Sequence, residues 1–578
     1  MPQAFDCCPI PKAVEARTIE SGCDRRAFSR RNFRAGEVIL TNLPTSHVLL
    51  HQYRKERCAR CLSTTRKGDP PHIKNNLLRC GGCKQVWYCS RDCQKQDFFF
   101  HKVECKEVSI IFQTGTGQPE SNRSSLGETT INNAALLVRN FLALRVRKIN
   151  ECYRSCGDNG GSHIRCGSDH FDNLLQYNNK LPLDREETLD IQRASRALWN
   201  QRKSINKMVA KTTATTTIPE NDYILHYSFP QLEKQLERDL RRFRTNNFGV
   251  TDFMVRVVAS AVYPLGALLN HSCDPNCLLR YDCGSRNRKN EPPLLEIVAA
   301  RDISAGEELT HSYVELVSPA HTRRISLRDT YGFECRCEKC SFANSNICTN
   351  STTEAAGASA RFQIALPYNH RSLPPTELSR WVLEHYNPSR CSKVFEGDKN
   401  DESSLVFVNQ ETILEPLDNS EYTAAVEAAT AKQQEAQYFM LTEDLDSEVA
   451  SLKDVVKIFE SSLVTQTAST RPLLSLDLYK ARCAKFGTLM TLIGESNYSK
   501  EALVECEHIV SFLCLALKHV PNHSLLGLQL FTLGDMYEAN NESDKAHTTY
   551  AWARKVLRIS QGNTSDMVQM LNSKTNFR

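Results

Sequence analysis

Near the start of the chain, apolar and polar residues alternate over short runs: Arg25-Arg26-Ala27-Phe28, Val38-Ile39-Leu40 and His47-Val48-Leu49-Leu50. Such runs, bounded by turn residues, predict β-strands, and Ala35-Gly36-Glu37 supplies a turn between them. From 107 to 250 the period lengthens. Asn133 to Ile149 places apolar residues at helical spacing with arginines between, and Phe171 to Leu175, Glu186 to Trp199 and Leu232 to Phe243 repeat that spacing. A stretch rich in Gly, Ser and Cys (154–169) and a threonine-rich loop within 203–219 separate these predicted helices. Short apolar runs return at Tyr263 to Leu269, Leu278 to Tyr281 and Leu294 to Ala299. Ala305-Gly306-Glu307 then repeats the earlier turn ahead of a strand ending at Tyr313. Residues 341–360 have linker composition, 361–420 yield no assignable element, and helical spacing resumes from 421. In Leu530 to Tyr537, followed by Ala546, Tyr550, Ala553 and Leu557, that spacing is compatible with a tetratricopeptide-like helix pair or with a plain helical bundle.

A chain of 578 residues is long enough for about four domain-sized units. Its net charge of +5 is too modest to argue for nucleic-acid binding, so DNA affinity is expected to be weak or absent. No apolar stretch is long enough to span a bilayer, and the first residues do not form an export signal, so no membrane association is expected. The 24 cysteines change the picture. Many fall in pairs two or three residues apart, which fits metal thiolates in a reducing compartment, cytoplasm or nucleus, better than disulfides.

Cys58-x-x-Cys61, Cys80-x-x-Cys83, Cys89-x-x-x-Cys93 and His101-x-x-x-Cys105 offer enough soft ligands for two tetrahedral zinc ions. Spacing alone leaves open whether the pairs are used in sequence or interleaved. Cys335-x-Cys337-x-x-Cys340 supplies three further thiolates and needs a fourth. Cys152, Cys156 and Cys166 could begin another site, but no fourth ligand is evident. The other unusual stretch is Asn270-His271-Ser272-Cys273-Asp274-Pro275-Asn276-Cys277, directly after an apolar run. Polar residues at the end of a core segment are costly unless each has a hydrogen-bonding task.

This octet, with Tyr313 and Tyr331-Gly332-Phe333 downstream, resembles the signature of SET-domain lysine methyltransferases. The 58–105 segment, including Tyr88-Cys89-Ser90-Arg91-Asp92-Cys93-Gln94, resembles a MYND zinc finger. Together they resemble the SET and MYND domain-containing protein lysine methyltransferases. That resemblance implies an α+β multidomain fold: a SET β-fold split by a MYND finger and a helical insert, then a helical tetratricopeptide-like C-terminal domain. It divides the chain into the first part of SET (1–54), the MYND finger (55–106), the helical insert (107–250), the catalytic part of SET with a post-SET zinc site (251–340), a linker and insertion (341–420) and the C-terminal helices (421–578).

It further implies S-adenosylmethionine as cofactor, held around Arg25, Asn246, Leu269, Asn270, His271, Tyr313 and Phe333. Tyr313, Tyr331 and Phe333 are the implied catalytic residues, the last two walling a lysine channel. Three zinc ions are implied: one on Cys58, Cys61, Cys89 and Cys93, one on Cys80, Cys83, His101 and Cys105, and one on Cys273, Cys335, Cys337 and Cys340. The implied partners of this monomeric enzyme are a protein or peptide with a target lysine and, at the finger, proline-containing peptides. One departure stands out: the family's Gly-x-Gly falls on Asp24-Arg25-Arg26, where long side chains replace residues that let a backbone approach a ligand. An adaptor or corepressor that keeps the scaffold without methyl transfer is the competing expectation, and a nucleic-acid-binding zinc protein a third.

Overall fold

The computed structural model of the chain describes residues 11–18, 25–64, 77–114, 125–147, 183–212, 227–284, 288, 290–344, 360–367, 373–387, 405–414, 420–464, 475–492 and 498–575. Cys152, Cys156, Cys166, Asp24 and the helix expected at Phe171 to Leu175 lie outside these residues. The first strands are β1 (Val14–Thr18), β2 (Arg25–Ser29), β3 (Val38–Asn42) and β4 (Ser46–Leu49). A cysteine-rich finger follows, with β5 (Leu78–Arg79), β6 (Trp87–Tyr88) and α1 (Arg91–Thr114). Then come α2 (Ser125–Phe141), α3 (Arg185–Thr212) and α4 (Phe229–Asn246). The second β region holds β7 (Asn247–Thr251), β8 (Val257–Val262), β9 (Asn270–His271), β10 (Cys277–Asp282), β11 (Leu294–Ala299) and β12 (Thr310–His311). Two short helices close it, α5 (Ala320–Ser326) and α6 (Glu338–Asn344).

Small sheets, ordered β10-β11-β3 and β4-β8-β7, join strands from both sides of the finger and helices, so the insert interrupts one folded unit. Their inward faces meet in a shared core: Phe33, Ile39, Leu40, Val258, Ala261, Leu269, Leu295 and Ile297 are all buried. The two Ala-Gly-Glu turns lie side by side. Gly36 and Gly306 take φ of +86° and +87°, the left-handed region in which a side chain is strained. Asn32 Oδ1 accepts the Ala305 N–H at 2.8 Å, and Asp302 Oδ1 accepts the Ala35 N–H at 2.8 Å. Those reciprocal bonds align β2 with 307–309, where Leu309 N–H donates to Ala27 O at 2.7 Å, and so deliver the chain to β12.

The insert is amphipathic helix packing. Leu232, Leu236, Leu240 and Phe243 form one stripe of α4 and are buried with Leu137, Phe141, Ala194 and Leu198 of α2 and α3. The helical spacing past Phe141 continues as a π-helical stretch, Leu142–Arg147, rather than as α-helix.

Beyond α6 the chain forms β13 (Gln363–Pro367), α7 (Pro375–His385) and β14 (Leu405–Asn409), then α8 (Ser420–Leu441), α9 (Leu445–Val464), α10 (Leu476–Thr491), α11 (Ser499–Ala516), α12 (Ser524–Ala539), α13 (Ser543–Ser560) and α14 (Asp566–Thr575). β13 and β14 pair antiparallel, and Ile364, Leu366, Leu378 and Val382 are buried in the same core as α11 to α14. Much of 361–420 is therefore part of the C-terminal core. In the α12–α13 hairpin, a Cβ on Gly534 would stand 2.4 Å from the Tyr550 ring, so a glycine sets how closely the helices approach. Among the described residues no helix is long and apolar enough to cross a membrane.

Candidate active site and metal centres

The cysteine-rich finger brings its ligands together in interleaved order. Cys58, Cys61, Cys89 and Cys93 form one group and Cys80, Cys83, His101 and Cys105 another. Cys273, 62 or more residues from its partners in sequence, joins Cys335, Cys337 and Cys340 in a third. Sulfur separations of 3.5 Å (Cys61–Cys89 and Cys89–Cys93), 3.9 Å (Cys80–Cys105) and 3.6 Å (Cys273–Cys340) match the ~3.8 Å edge of a zinc thiolate tetrahedron. His101 Nε2 lies 3.2 Å from Cys80 Sγ and 3.4 Å from Cys83 Sγ. All three donor sets fit zinc, and all these cysteines are free of disulfides.

Polar contacts orient the finger on the rest of the molecule. The other nitrogen of His101, Nδ1, faces Glu104 Oε1 at 3.3 Å, the usual outer-shell arrangement for a ligating imidazole. Arg139 of α2 reaches Glu104 at 3.0 Å and Asp97 at 2.8 Å, and Tyr88 donates to Asp97 at 2.8 Å, all of them buried. Arg57 donates to Asp252 at 2.6 Å, both side chains being nearly inaccessible, so the finger is pinned to the end of β7.

The octet is a turn held on every side. β9 pairs in parallel with β12, Asn270 opposite Thr310 and His271 opposite His311. Asn276, 2% exposed, donates to Glu307 Oε1 at 2.9 Å and to Glu308 O at 2.7 Å, and accepts the Thr310 N–H at 2.9 Å. His271 Nδ1 accepts the Tyr313 N–H at 2.9 Å, which puts the imidazole proton on Nε2, 3.2 Å from Cys273 Sγ. Burial, reinforced by the facing His311, pushes His271 down to about 3, so it is neutral at ordinary pH.

Tyr313 lies two residues past β12, in a bend rather than on a strand. Its hydroxyl donates to Leu269 O at 2.7 Å, and its ring lies 4.8 Å from Tyr331 and 6.5 Å from Phe333, centroid to centroid. Burial, with Tyr331 and Glu308 adding to it, raises the phenol above its ordinary range, so the hydroxyl keeps its proton. The aromatic trio packs on the Cys273 metal group.

The other expected contacts are less uniform. Asn246, buried at the end of α4, donates to Arg242 O and Thr245 Oγ1, both at 2.9 Å. It lies two residues before Phe248, whose ring stacks on His311 at 6.0 Å, so the end of α4 and the start of β7 line the same region as the octet. Arg25 stands in β2 opposite Thr18, in the strand that continues the layer of β9 and β12. Arg26 pairs with Glu308 at 3.4 Å, and Asn270 Nδ2 lies 3.5 Å from the same carboxylate. Glu308, Asn276 and His311 are site residues that sequence reasoning did not single out. Glu308 carried a signal, a charge where the strand turns inward, and Asn276 was inside the octet.

The SET domain family model matches residues 25–314, half of the chain. "Histone-lysine N-methyltransferase ASHR1" of Arabidopsis thaliana is 24% identical over 95% of this chain and 92% of its own length. "N-lysine methyltransferase SMYD2-B" of Xenopus laevis and "N-lysine methyltransferase SMYD2" of Homo sapiens are each 25% identical, over 57% and 56% of this chain; these alignments span only 61% and 59% of those relatives. The crystal structure of the SET domain of LSMT bound to lysine and AdoHcy aligns at 10% identity with a TM-score of 0.23, too low to define a shared fold. The chain belongs to the SET domain family. The relatives it resembles there are lysine methyltransferases.

Proposed function

We propose that this chain is a protein-lysine N-methyltransferase that uses S-adenosylmethionine and carries three zinc ions. The observation that carries the reading is the convergence of Tyr313, Tyr331 and Phe333 with the Asn270-His271 turn over a four-cysteine centre. Leu269, Asn270, His271 and Asn246, with Arg25 and Phe333 at the edges, would hold the cofactor, which supplies an electrophilic methyl group on a sulfonium sulfur. Because the Tyr313 hydroxyl gives its proton to Leu269 O, its oxygen can only accept on the side away from that carbonyl. It therefore suits orienting an amine N–H and a polarised methyl. Tyr331 and Phe333 wall a channel that excludes water from the amine and favours an alkylammonium by cation–π attraction.

The finger is a MYND module that docks proline-containing peptides. Beside its second metal group an open cleft of about 530 Å³ is lined by Gly81, Gln94, Phe98 and Lys102, with Phe98 54% exposed. The substrate is a protein lysine, histone or not, and the setting is cytoplasm or nucleus, where thiols stay reduced.

A second reading, a SET scaffold serving as adaptor or corepressor, is favoured by Arg26 and its pairing with Glu308 at the cofactor wall. Calorimetric titration of the zinc-loaded chain with S-adenosylmethionine separates the two. Binding followed by methylation on a lysine peptide array supports the enzyme, and no detectable heat overturns it.

A further inference from the structure

The third metal group is surrounded by buried charge that neither the methyl-transfer reading nor the zinc stoichiometry uses. Arg323 of α5 and Lys339 of α6 have completely buried side chains. Both reach one carboxylate oxygen of Glu411, at 2.9 and 3.2 Å. Glu411 belongs to the 3-10 turn Gln410–Ile413 after β14, which Gln410 fastens to the end of α11 by donating to Leu515 O and Ala516 O at 2.6 and 2.7 Å. His519, in the loop between α11 and α12, puts Nε2 3.1 Å from Cys273 O and 3.3 Å from Lys339 Nζ. A carbonyl needs a donor, so the imidazole proton sits on Nε2 and the ammonium hydrogens turn to Glu411. Around this centre, Arg361 pairs with Asp274 at 3.0 Å, Asn522 donates to Ala300 O at 2.9 Å, and Arg324 donates to Cys340 O at 2.7 Å.

Two physical points give the cluster a role. Four thiolates around a divalent cation leave two net negative charges, and the Arg323 guanidinium and the Lys339 side chain stand beside them. Arg323 Nε, Glu411 Oε2 and His519 Nδ1 are buried with no hydrogen-bond partner among the described residues. Buried charge satisfied this incompletely costs more than a well-packed apolar cluster would, so stability alone does not account for it. What the cluster does specify is where the Cys273 end of the octet sits relative to the C-terminal helices.

We propose that Arg323, Lys339, Glu411 and His519 form an interdomain lock, in which the C-terminal helical region positions the cofactor turn by gripping Cys273 O. They are positioning residues. The cofactor part of the consequence rests on the function proposed above; the lock itself does not.

The test uses the full zinc-loaded chain and the variants His519→Leu, which removes the donor, and His519→Gln, whose amide restores one. Hydrogen exchange at amides 270–277 is expected to accelerate about tenfold in the leucine variant and to return towards wild type in the glutamine variant, with zinc content unchanged. Equal exchange in wild type and His519→Leu, or equal acceleration in both variants, would overturn the lock. Should the leucine variant not fold, the wild-type chain decides: saturating S-adenosylhomocysteine must slow exchange at 517–523 as well as at 270–277, because coupling between sites is reciprocal. Slowing confined to 270–277 refutes the proposal. Calorimetry on the same samples keeps the two questions apart. A wild type that binds no cofactor refutes the proposed function, while the Leu and Gln exchange comparison still decides the lock.

Discussion

Replacing Tyr313 by phenylalanine removes one oxygen from the site and changes little else, because the ring contacts with Tyr331 and Phe333 and the backbone bond to His271 stay available. The immediate loss is the 2.7 Å bond to Leu269 O, which leaves a buried carbonyl without that donor. A neutral hydrogen bond contributes about 1 kcal/mol, and an unsatisfied buried acceptor costs roughly 1–3 kcal/mol, so the folded state should lose about 1–3 kcal/mol. For a domain of this size that is a melting shift of roughly 2–12 °C. The proposed cofactor turn remains anchored by β12 and Asn276, so S-adenosylmethionine affinity should change by no more than about threefold, under 1 kcal/mol. Turnover should fall further, by about a hundredfold, the scale of a reacting group misplaced by an ångström. Single-turnover methylation of a substrate peptide, run beside calorimetry on the same sample, separates the two effects. Unchanged turnover would remove Tyr313 from the chemistry. A loss of affinity as large as the loss of turnover would make it a support for the turn and nothing more.

Cys273→Ser should reduce the bound zinc from three ions to two per chain, read by chelator titration of the denatured protein, because three remaining thiolates do not close a structural site. Retention of all three would exclude Cys273 as a shared ligand. Stability should also fall with pH in a defined window. Burial pushes His311 down to about 4 and, with Arg139 adding to the effect, His47 down to about 4. Both imidazoles titrate near 6.5 when unfolded, so between those values the unfolded chain binds more protons. The stabilisation is complete above about pH 6.5 and is lost as pH falls towards 4, at up to ~1.4 kcal/mol per pH unit for each histidine. Denaturant titrations from pH 6.5 to 5.5 should therefore show a shallower slope for His311→Gln than for wild type; parallel slopes would mean His311 is not buried as a neutral group.

What could be read from the residues follows from how far apart the interacting groups lie. The finger's ligands come in pairs because a metal needs close donors, so their number and type are visible in one line of sequence. Their interleaving is not, since Cys80-x-x-Cys83 could serve either ion until the chain is folded. Strands such as β11 show as apolar runs because both faces are covered, whereas β13 and β14 pair across an intervening helix and gave no local pattern. Cys273 as fourth ligand came from family likeness alone. The contact of His519 with Cys273 O spans 246 positions and involves a backbone oxygen, which no side-chain motif records. Tyr313 illustrates the intermediate case: its identity suggested a role, but the bend that turns its hydroxyl to Leu269 O depends on His271 Nδ1 accepting its own N–H.

The loss of glycine at the proposed cofactor wall weighs less against catalysis than the residues alone suggest. Arg26 is held to Glu308 at 3.4 Å, with side chains 39% and 27% exposed, and Asn270 meets the same carboxylate at 3.5 Å. These are long, partly solvated contacts, and an ion pair of that kind contributes ~0–1 kcal/mol. A cofactor bound with micromolar affinity brings about 8 kcal/mol. The Arg26–Glu308 pair by itself is therefore worth at most about one eighth of that binding energy. The octet and Tyr313, by contrast, are fixed by partly buried but short bonds of 2.7–2.9 Å from Asn276, His271 and Leu269 O, the short end of the hydrogen-bond range. The rigid part of the site is the part that methyl transfer requires, and the Arg26–Glu308 pair is a weak contact beside it.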